Sequence, residues 1–329
     1  MIKLFQRDMA LQAVIIIVAM LLLWGSALVA PQPMTAGDHP AVLYGLLCDW
    51  LMPLPRLAVI IALLLILTEG IMLNLLLANV GLVSQNSLLP TLLYIVAVSA
   101  GAHTITPLIL VNGCVIACLN QLFLRGTLLT ILPEKICGAT VLIGIATLFY
   151  RPAIFLMVSY LLIASNYRLY SWKDWALMIL GFAAPYVLLV LILYLAGGLA
   201  GWWQETTAHW HLTSQWHLAS GGWRQTVASF FLAATFLWGV IVVMGQMNKQ
   251  PVVWQKNATT TLLLALGGIG MMLYTPFTPS QMPLFAVSFA FCSYRMLTAT
   301  NETGFRRLKQ HTWIYDTVLI LTLIAALLC

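Results

Sequence analysis

The chain has 329 residues, of which 62% are hydrophobic and only 7% are charged. A soluble globular domain carries about 25% charged residues, so this composition excludes one and indicates an integral membrane protein. The net charge of +6 does not indicate nucleic-acid binding, because the basic residues are scattered between apolar segments instead of clustering on one face.

Apolar windows of about 20 residues, the length that spans a bilayer as a helix, recur along the whole chain. They predict an all-α fold, a polytopic bundle of about eleven transmembrane helices in a single domain over residues 1–329. The first two predicted spans are residues 11–30 and 57–78. The third and fourth lie between residues 87 and 124, separated by a break at 101–107. The others are residues 136–150, 152–165, 175–197, 225–246, 258–275, 283–298 and 313 to the C-terminus.

The distribution of lysine and arginine predicts the orientation, because short cytoplasmic loops carry an excess of basic residues. An N-terminus in the cytoplasm places on that side Lys3, Arg7, Arg125, Lys135, Arg168, Lys173, Lys249, Lys256, Arg295, Arg306, Arg307 and Lys309. The outer side receives only Arg56, Arg151 and Arg224. We therefore expect a multi-pass protein of the bacterial inner membrane with a periplasmic C-terminus.

The second apolar segment, Leu57 to Ala78, contains one carboxylic acid near its middle, Glu69. An ionisable residue at membrane depth is costly, and by default it indicates a functional site. Glu69 is expected to be sheltered by other helices. There it contacts the polar part of a lipid-linked substrate, carries a proton or cation, or forms a purely structural pair.

The first outer loop, Pro31 to Arg56, contains the candidate catalytic residues Asp38, His39 and Asp49. An adjacent carboxylate and imidazole supply a general base or a divalent-cation site, and the alternative is an ordinary solvated loop. Guanidinium groups pair bidentately with phosphate, so the outer arginines are candidates for binding a diphosphate. The predicted substrate-binding residues are Glu69, Arg56, Arg151 and Arg224.

No metal or cofactor is predicted, although two patterns raise the question of a metal. Cys114 and Cys118 lie four residues apart on one helix face, and we interpret them as buried small hydrophobes. The second outer loop, Gly201 to Arg224, combines five tryptophans with His209, His211 and His217. Its pattern favours an interfacial segment over carbohydrate stacking or a metal site.

Four groups of residues carry a resemblance: Asn86-Ser87-Leu88-Leu89-Pro90 with Tyr94, Ile143 to Tyr150, Trp172-Lys173-Asp174-Trp175, and Gly181 with Pro185-Tyr186. Together they resemble an uncharacterised family of bacterial polytopic inner-membrane proteins, over about residues 1–200. The resemblance implies a membrane fold and no assigned activity. No catalytic residue follows from it.

A second resemblance, of architecture only, is to multipass glycosyltransferases and polysaccharide polymerases that use polyprenyl-linked sugars. It consists of the number of spans, an acid in the first outer loop and outer arginines. The chain lacks the large outer domain of many such enzymes, and Asp38-His39 does not match their usual acidic pair.

Three functions remain open at this point. The first is an envelope enzyme that transfers or polymerises a polyprenyl-linked sugar at the outer face, with Asp38 as the base. The second is a transporter or flippase that uses Glu69, and the third is a non-catalytic subunit of an envelope complex. The expected partners are membrane lipids, a polyprenyl-linked sugar or other membrane subunits, and nucleic acid is not among them.

Overall fold

The computed structural model of the chain describes residues 9–32, 41–101, 103–124, 132–167, 169, 171–208, 223–274, 279–302 and 312–328. Within these ranges the regular structure is helical and there is no strand, so the predicted all-α fold is confirmed for them. The number of transmembrane spans, about eleven, and the orientation of the chain in the membrane remain predictions.

Thirteen α-helices and two 3₁₀ helices lie in the described ranges. The α-helices are α1 Met9–Val29, α2 Val42–Leu51, α3 Pro55–Asn79, α4 Leu89–Ser99, α5 Pro107–Leu122, α6 Pro133–Phe149, α7 Phe155–Asn166, α8 Trp172–Leu195, α9 Leu199–Ala208, α10 Trp223–Met247, α11 Val252–Tyr274, α12 Ala286–Glu302 and α13 Thr312–Leu328. The 3₁₀ helices are Arg151–Ile154 and Pro279–Phe285.

Four described helices are long and apolar enough to cross a membrane: α1, α3, α8 and residues 227–247 of α10. Their outward faces are apolar, as shown by the exposed side chains of Leu22, Leu64, Leu188 and Ile241. Apolar faces of this kind need a hydrocarbon environment. The chain is therefore a membrane protein.

Helix α4 is the centre of the bundle. Every one of its eleven residues is buried, and it packs against α1, α3, α12 and α13. Its sequence, LPTLLYIVAVS, is apolar on all sides except for small hydroxyl groups and one tyrosine. A helix that is hydrophobic all round is stable only when other helices enclose it.

The two ends of the bundle carry different basic residues. We call one the lysine end, where α6, α8 and α11 begin and Lys135, Lys173 and Lys256 lie. Helix α7 connects two of them, through hydrogen bonds from Asn166 to the Lys256 carbonyl of α11 and from Tyr160 to the Ile136 carbonyl of α6. We call the other the arginine end, formed by the end of α1, α2, the start of α3, residues 103–106 and Arg151–Ile154.

Two helices lie where the sequence analysis placed only outer loops, α2 and α9. Each has ten residues, too few to produce an apolar window of spanning length. In α2 the buried residues Tyr44, Cys48 and Leu51 are spaced four and three apart, which puts them on one helix face. Neither helix contains an apolar segment of bilayer length, and the sequence analysis therefore did not predict them.

Glycines bring several helices into close contact, because the absence of a side chain lets the backbones approach. A Cβ atom on Gly267 would lie 2.7 Å from the Ser159 hydroxyl, and one on Gly270 would lie 2.9 Å from the Phe155 side chain. Both contacts join α11 to α7. In α10, a Cβ atom on Gly239 would lie 2.7 Å from the backbone carbon of Cys292 in α12.

Gly239→Ala is therefore expected to destabilise the protein by about 1–3 kcal/mol. The added methyl group clashes with the backbone of α12, which cannot move aside by a change of side-chain rotamer. The measurement is thermal unfolding of the purified chain in detergent. Gly245→Ala is the control on the same helix, because nothing lies within 4 Å of a Cβ atom at Gly245. An unchanged midpoint for Gly239→Ala would contradict this packing.

Candidate functional site

Glu69 lies in the middle of α3. At 1.5 Å per residue it is about 21 Å from the start of the helix at Pro55 and about 15 Å from its end at Asn79. The helix turns this residue inward, and 8% of its surface is exposed. Glu69 is therefore buried among helices, as the sequence analysis expected of a carboxyl group at this depth.

Two helices enclose the Glu69 carboxyl group. The Tyr94 hydroxyl of α4 donates a hydrogen bond of 2.6 Å to Oε2. The other oxygen, Oε1, faces Gly113 of α5, where a Cβ atom would lie only 2.8 Å away. Glycine at this position leaves room for the carboxyl group between α3 and α5.

More polar groups lie on the same three helices. The Thr91 hydroxyl of α4 donates to the Gly70 carbonyl at 3.1 Å, which holds α4 against α3 beside Glu69. Asn112 of α5 donates through Nδ2 to the Pro283 carbonyl at 2.8 Å, which joins α5 to the 3₁₀ helix Pro279–Phe285. Asn74 is 3% exposed, and its Oδ1 has no hydrogen-bond partner among the described residues.

The candidate residues Asp49 and Arg56 lie at the arginine end, and both are exposed. Asp49 is on α2 and Arg56 is in the first turn of α3, and α2 packs against both α3 and α6. Its Tyr44 hydroxyl donates to the Ile105 carbonyl at 2.9 Å, which ties α2 to the connection between α4 and α5.

Arg151 is also at the arginine end, in the first position of the 3₁₀ helix that joins α6 to α7. Its side chain is half-buried. One guanidinium nitrogen, Nη1, is buried and has no hydrogen-bond partner within the described part of the chain. A buried N–H group without an acceptor is unfavourable, so an incoming anion would be stabilised there.

The structure thus groups some of the predicted residues and separates others. Asp49, Arg56 and Arg151 share one end of the bundle. Glu69 does not join them, because it is 13 residues from Arg56 on the same helix, which is about 20 Å.

Other predicted residues are beyond what the structure describes. Asp38 and His39 lie outside the described residues, as do His209, His211 and His217. Arg224 belongs to α10, but its side chain is outside the described set. Among the side chains that are described, no three histidine, cysteine or acidic residues are grouped to hold a metal ion.

Two further polar residues, one at each end of the bundle, were not singled out from the sequence. His103 lies beside α4 at the arginine end, with its ring 5.4 Å from that of Trp24, and burial lowers the pKa of this histidine. Arg295 of α12 is only 6% exposed and donates to Gln246 Oε1 from Nη2 at 2.7 Å. The sequence analysis counted Arg295 among the basic residues of the cytoplasmic side, because no local pattern distinguishes a buried arginine inside a helix.

A cavity of about 220 Å³ lies between α4, α10, α11, α12 and the 3₁₀ helix Pro279–Phe285. Its walls are all apolar: Ala97, Leu232, Ala233, Phe236, Leu237, Ile269, Met272, Met282, Phe285 and Phe289. Leu237 and Ile269 are also 61% and 49% exposed, so the cavity borders the outward face of the bundle. Apolar cavities exclude water and accept apolar ligands.

Comparisons with protein-family models, with curated proteins and with solved structures find no match for this chain. The two resemblances noted from the sequence therefore remain predictions.

Tyr94→Phe is expected to destabilise the protein by about 1–3 kcal/mol, because the buried Glu69 carboxyl group loses its hydrogen-bond donor. Thermal unfolding in detergent, followed by tryptophan fluorescence, measures the change. Tyr194→Phe is the matched control, since Tyr194 is an exposed residue of α8. Equal midpoints for the two variants would show that the Tyr94 hydroxyl contributes nothing.

Proposed function

We propose that this chain is a multi-pass protein of the bacterial inner membrane that takes part in cell-envelope biogenesis. It has about eleven spans, a cytoplasmic N-terminus and a periplasmic C-terminus. Its reaction is the transfer or polymerisation of a polyprenyl-linked sugar at the outer face.

The observation that carries this proposal is that α2, which carries Asp49, packs against α3 and α6. Arg56 lies in the first turn of α3, and Arg151 follows the end of α6. A diphosphate needs cationic donors, and a sugar acceptor needs a base to take its proton. Arg151 supplies a half-buried guanidinium group whose Nη1 has no hydrogen-bond partner among the described residues. Arg56 adds a second guanidinium, and Asp38 with His39 supplies the base in the proposal.

The distribution of charge supports the orientation. Lys135, Lys173 and Lys256 lie at the lysine end, and Arg56 and Arg151 lie at the opposite one. An excess of basic residues marks the cytoplasmic side, so the arginine end is the periplasmic end in this proposal. A base and two guanidinium groups would there meet a lipid-linked sugar presented in the outer leaflet.

The proposed orientation predicts that alkaline phosphatase fused after Cys329 is active in living cells, because this enzyme folds only in the oxidising periplasm. The same reporter inserted after Lys249 is expected to be inactive, since the connection between α10 and α11 lies at the lysine end. Activity at Lys249 with inactivity at Cys329 would reverse the orientation.

The proposed reaction predicts that Asp38→Asn and Arg151→Ala each lead to accumulation of a polyprenyl-linked sugar. Loss of a general base lowers turnover by about 10²–10⁴-fold, and loss of a charge-assisted phosphate contact acts in the same direction. The measurement is mass spectrometry of extracted lipids from cells in which the variant replaces the native chain.

Lys173→Ala is the control, because Lys173 is an exposed cation at the lysine end. The control strain should match the native one at equal protein levels. Unchanged lipid-linked sugars in cells that lack the whole chain would refute the proposed reaction. If deletion instead removes a partner protein from the membrane, the chain is a non-catalytic subunit of an envelope complex.

A transporter or flippase for a lipid-linked or small polar solute is the second candidate function. The observation that favours it is the apolar cavity beside Leu237 and Ile269, which suits the hydrocarbon part of a lipid that enters from the bilayer. Under this alternative Asp38→Asn leaves the lipid-linked sugars unchanged, and Glu69→Gln abolishes movement of the solute.

A further inference from the structure

We propose that Glu69 and Tyr94 form a proton-binding site inside the membrane domain. This site takes up and releases a proton at the Glu69 carboxyl group while the protein stays folded. The inference does not rest on the proposed reaction, because Glu69 is about 20 Å from Arg56 along α3 and outside the group of residues assigned to that reaction.

The first argument is electrostatic. The groups that face Glu69 are Tyr94 from α4 and, from α5, Gly113 and the Cys114 thiol. No lysine, arginine or histidine of the described ranges forms an ion pair with it. An isolated carboxylate in an apolar interior is strongly disfavoured unless a cation or several donors compensate it. The neutral acid needs neither, so a bound proton completes this site.

The second argument concerns hydrogen bonding. The Tyr94 hydroxyl stays 2.6 Å from Oε2 in either state of the carboxyl group, and a donor to a carboxylate gives a stronger bond than a donor to a neutral acid. One donor therefore holds the group in place and also stabilises the deprotonated form when it appears. A single-donor arrangement of this kind permits release of the proton, whereas an ion pair would prevent its uptake.

The third argument is access. Thr68 directly precedes Glu69 on α3, and Met72 follows it by three residues. Both side chains are exposed on the outward face of the helix. Glu69 therefore lies at the border between the lipid-facing and the buried sides of this helix. A small apolar reagent dissolved in the bilayer can reach it from that side, while a charged reagent in water cannot.

The test uses dicyclohexylcarbodiimide, an apolar reagent that adds to carboxyl groups carrying a proton. The acid proton passes to a carbodiimide nitrogen, and the carboxyl oxygen bonds to the central carbon. The adduct then rearranges to a stable N-acylurea, with no leaving group. The full-length chain in lipid nanodiscs is treated at several pH values, digested and examined by mass spectrometry.

The expected result is modification of Glu69 that falls about tenfold for each pH unit above a midpoint, as titration of one proton requires. Tyr94→Phe retains the acid but loses the donor that stabilises the carboxylate, so its labelling should persist to higher pH. Glu69→Gln should show no labelling at this position. Glu134, an exposed acid in the first turn of α6, is the control and should react with a water-soluble carbodiimide instead.

Absence of label on Glu69 at every pH, or labelling that does not change with pH, would overturn the proposal. Peptide mapping of the unsubstituted chain gives this result by itself, so the test remains decisive even if Glu69→Gln does not fold. Because the readout is chemical modification, its failure leaves the tests of Asp38 and Arg151 unaffected.

Discussion

The bundle depends on pairing buried polar groups within the protein, because hydrocarbon offers them no hydrogen bonds. The pairing is clearest where helices end. Asn257 of α11 donates to the Leu124 carbonyl and accepts from the Leu124 amide, both at 3.0 Å, just after α5 ends. Gln12 of α1 does the same before α4, bonding the Asn86 carbonyl at 3.0 Å and the Leu88 amide at 2.7 Å.

These amide side chains replace the hydrogen bonds that a helix lacks at its ends. They also explain how short helices exist inside an apolar bundle. Helix α4 has eleven residues, and its start is satisfied by a side chain of α1 instead of by water. Trp24 adds a bond of 2.8 Å from Nε1 to the Ser99 hydroxyl at the other end of α4. The central helix is thereby fixed at both of its ends by α1.

Glu69 differs from these amide side chains. It is a buried acid in the middle of α3, and its hydrogen-bond donor is the neutral hydroxyl group of Tyr94. Its neighbours Gly70 and Gly113 keep α4 and α5 close, and Asn74 on the same helix has an oxygen without a described partner. Buried polar atoms without a described partner thus occur both within the bundle, at Asn74, and at a helix end, at Arg151. Incomplete pairing of buried polar groups costs stability, and proteins retain it mostly at sites of function.

The sequence by itself determined the membrane class, the helical fold and the positions of most helices, including the break between α4 and α5. These features follow from hydrophobic length and from proline and glycine, which are local properties. It also indicated Glu69, since a charge within an apolar segment is visible without any partner. It missed α2 and α9, because helices of ten residues contain no apolar segment of bilayer length. It did not distinguish Arg295 from the other basic residues, because burial of a side chain depends on the helices that pack around it.

Only the tertiary structure decided which residues meet. It brought Tyr94 and Gly113 to Glu69 and left Nη1 of Arg151 without a described partner. It placed Asp49 on α2 and Arg56 at the start of α3, both away from Glu69. The face that each helix turns toward its neighbours depends on packing between segments far apart in the chain. Apolar spans of similar composition do not encode that choice locally, since lipid and protein interiors are alike in polarity.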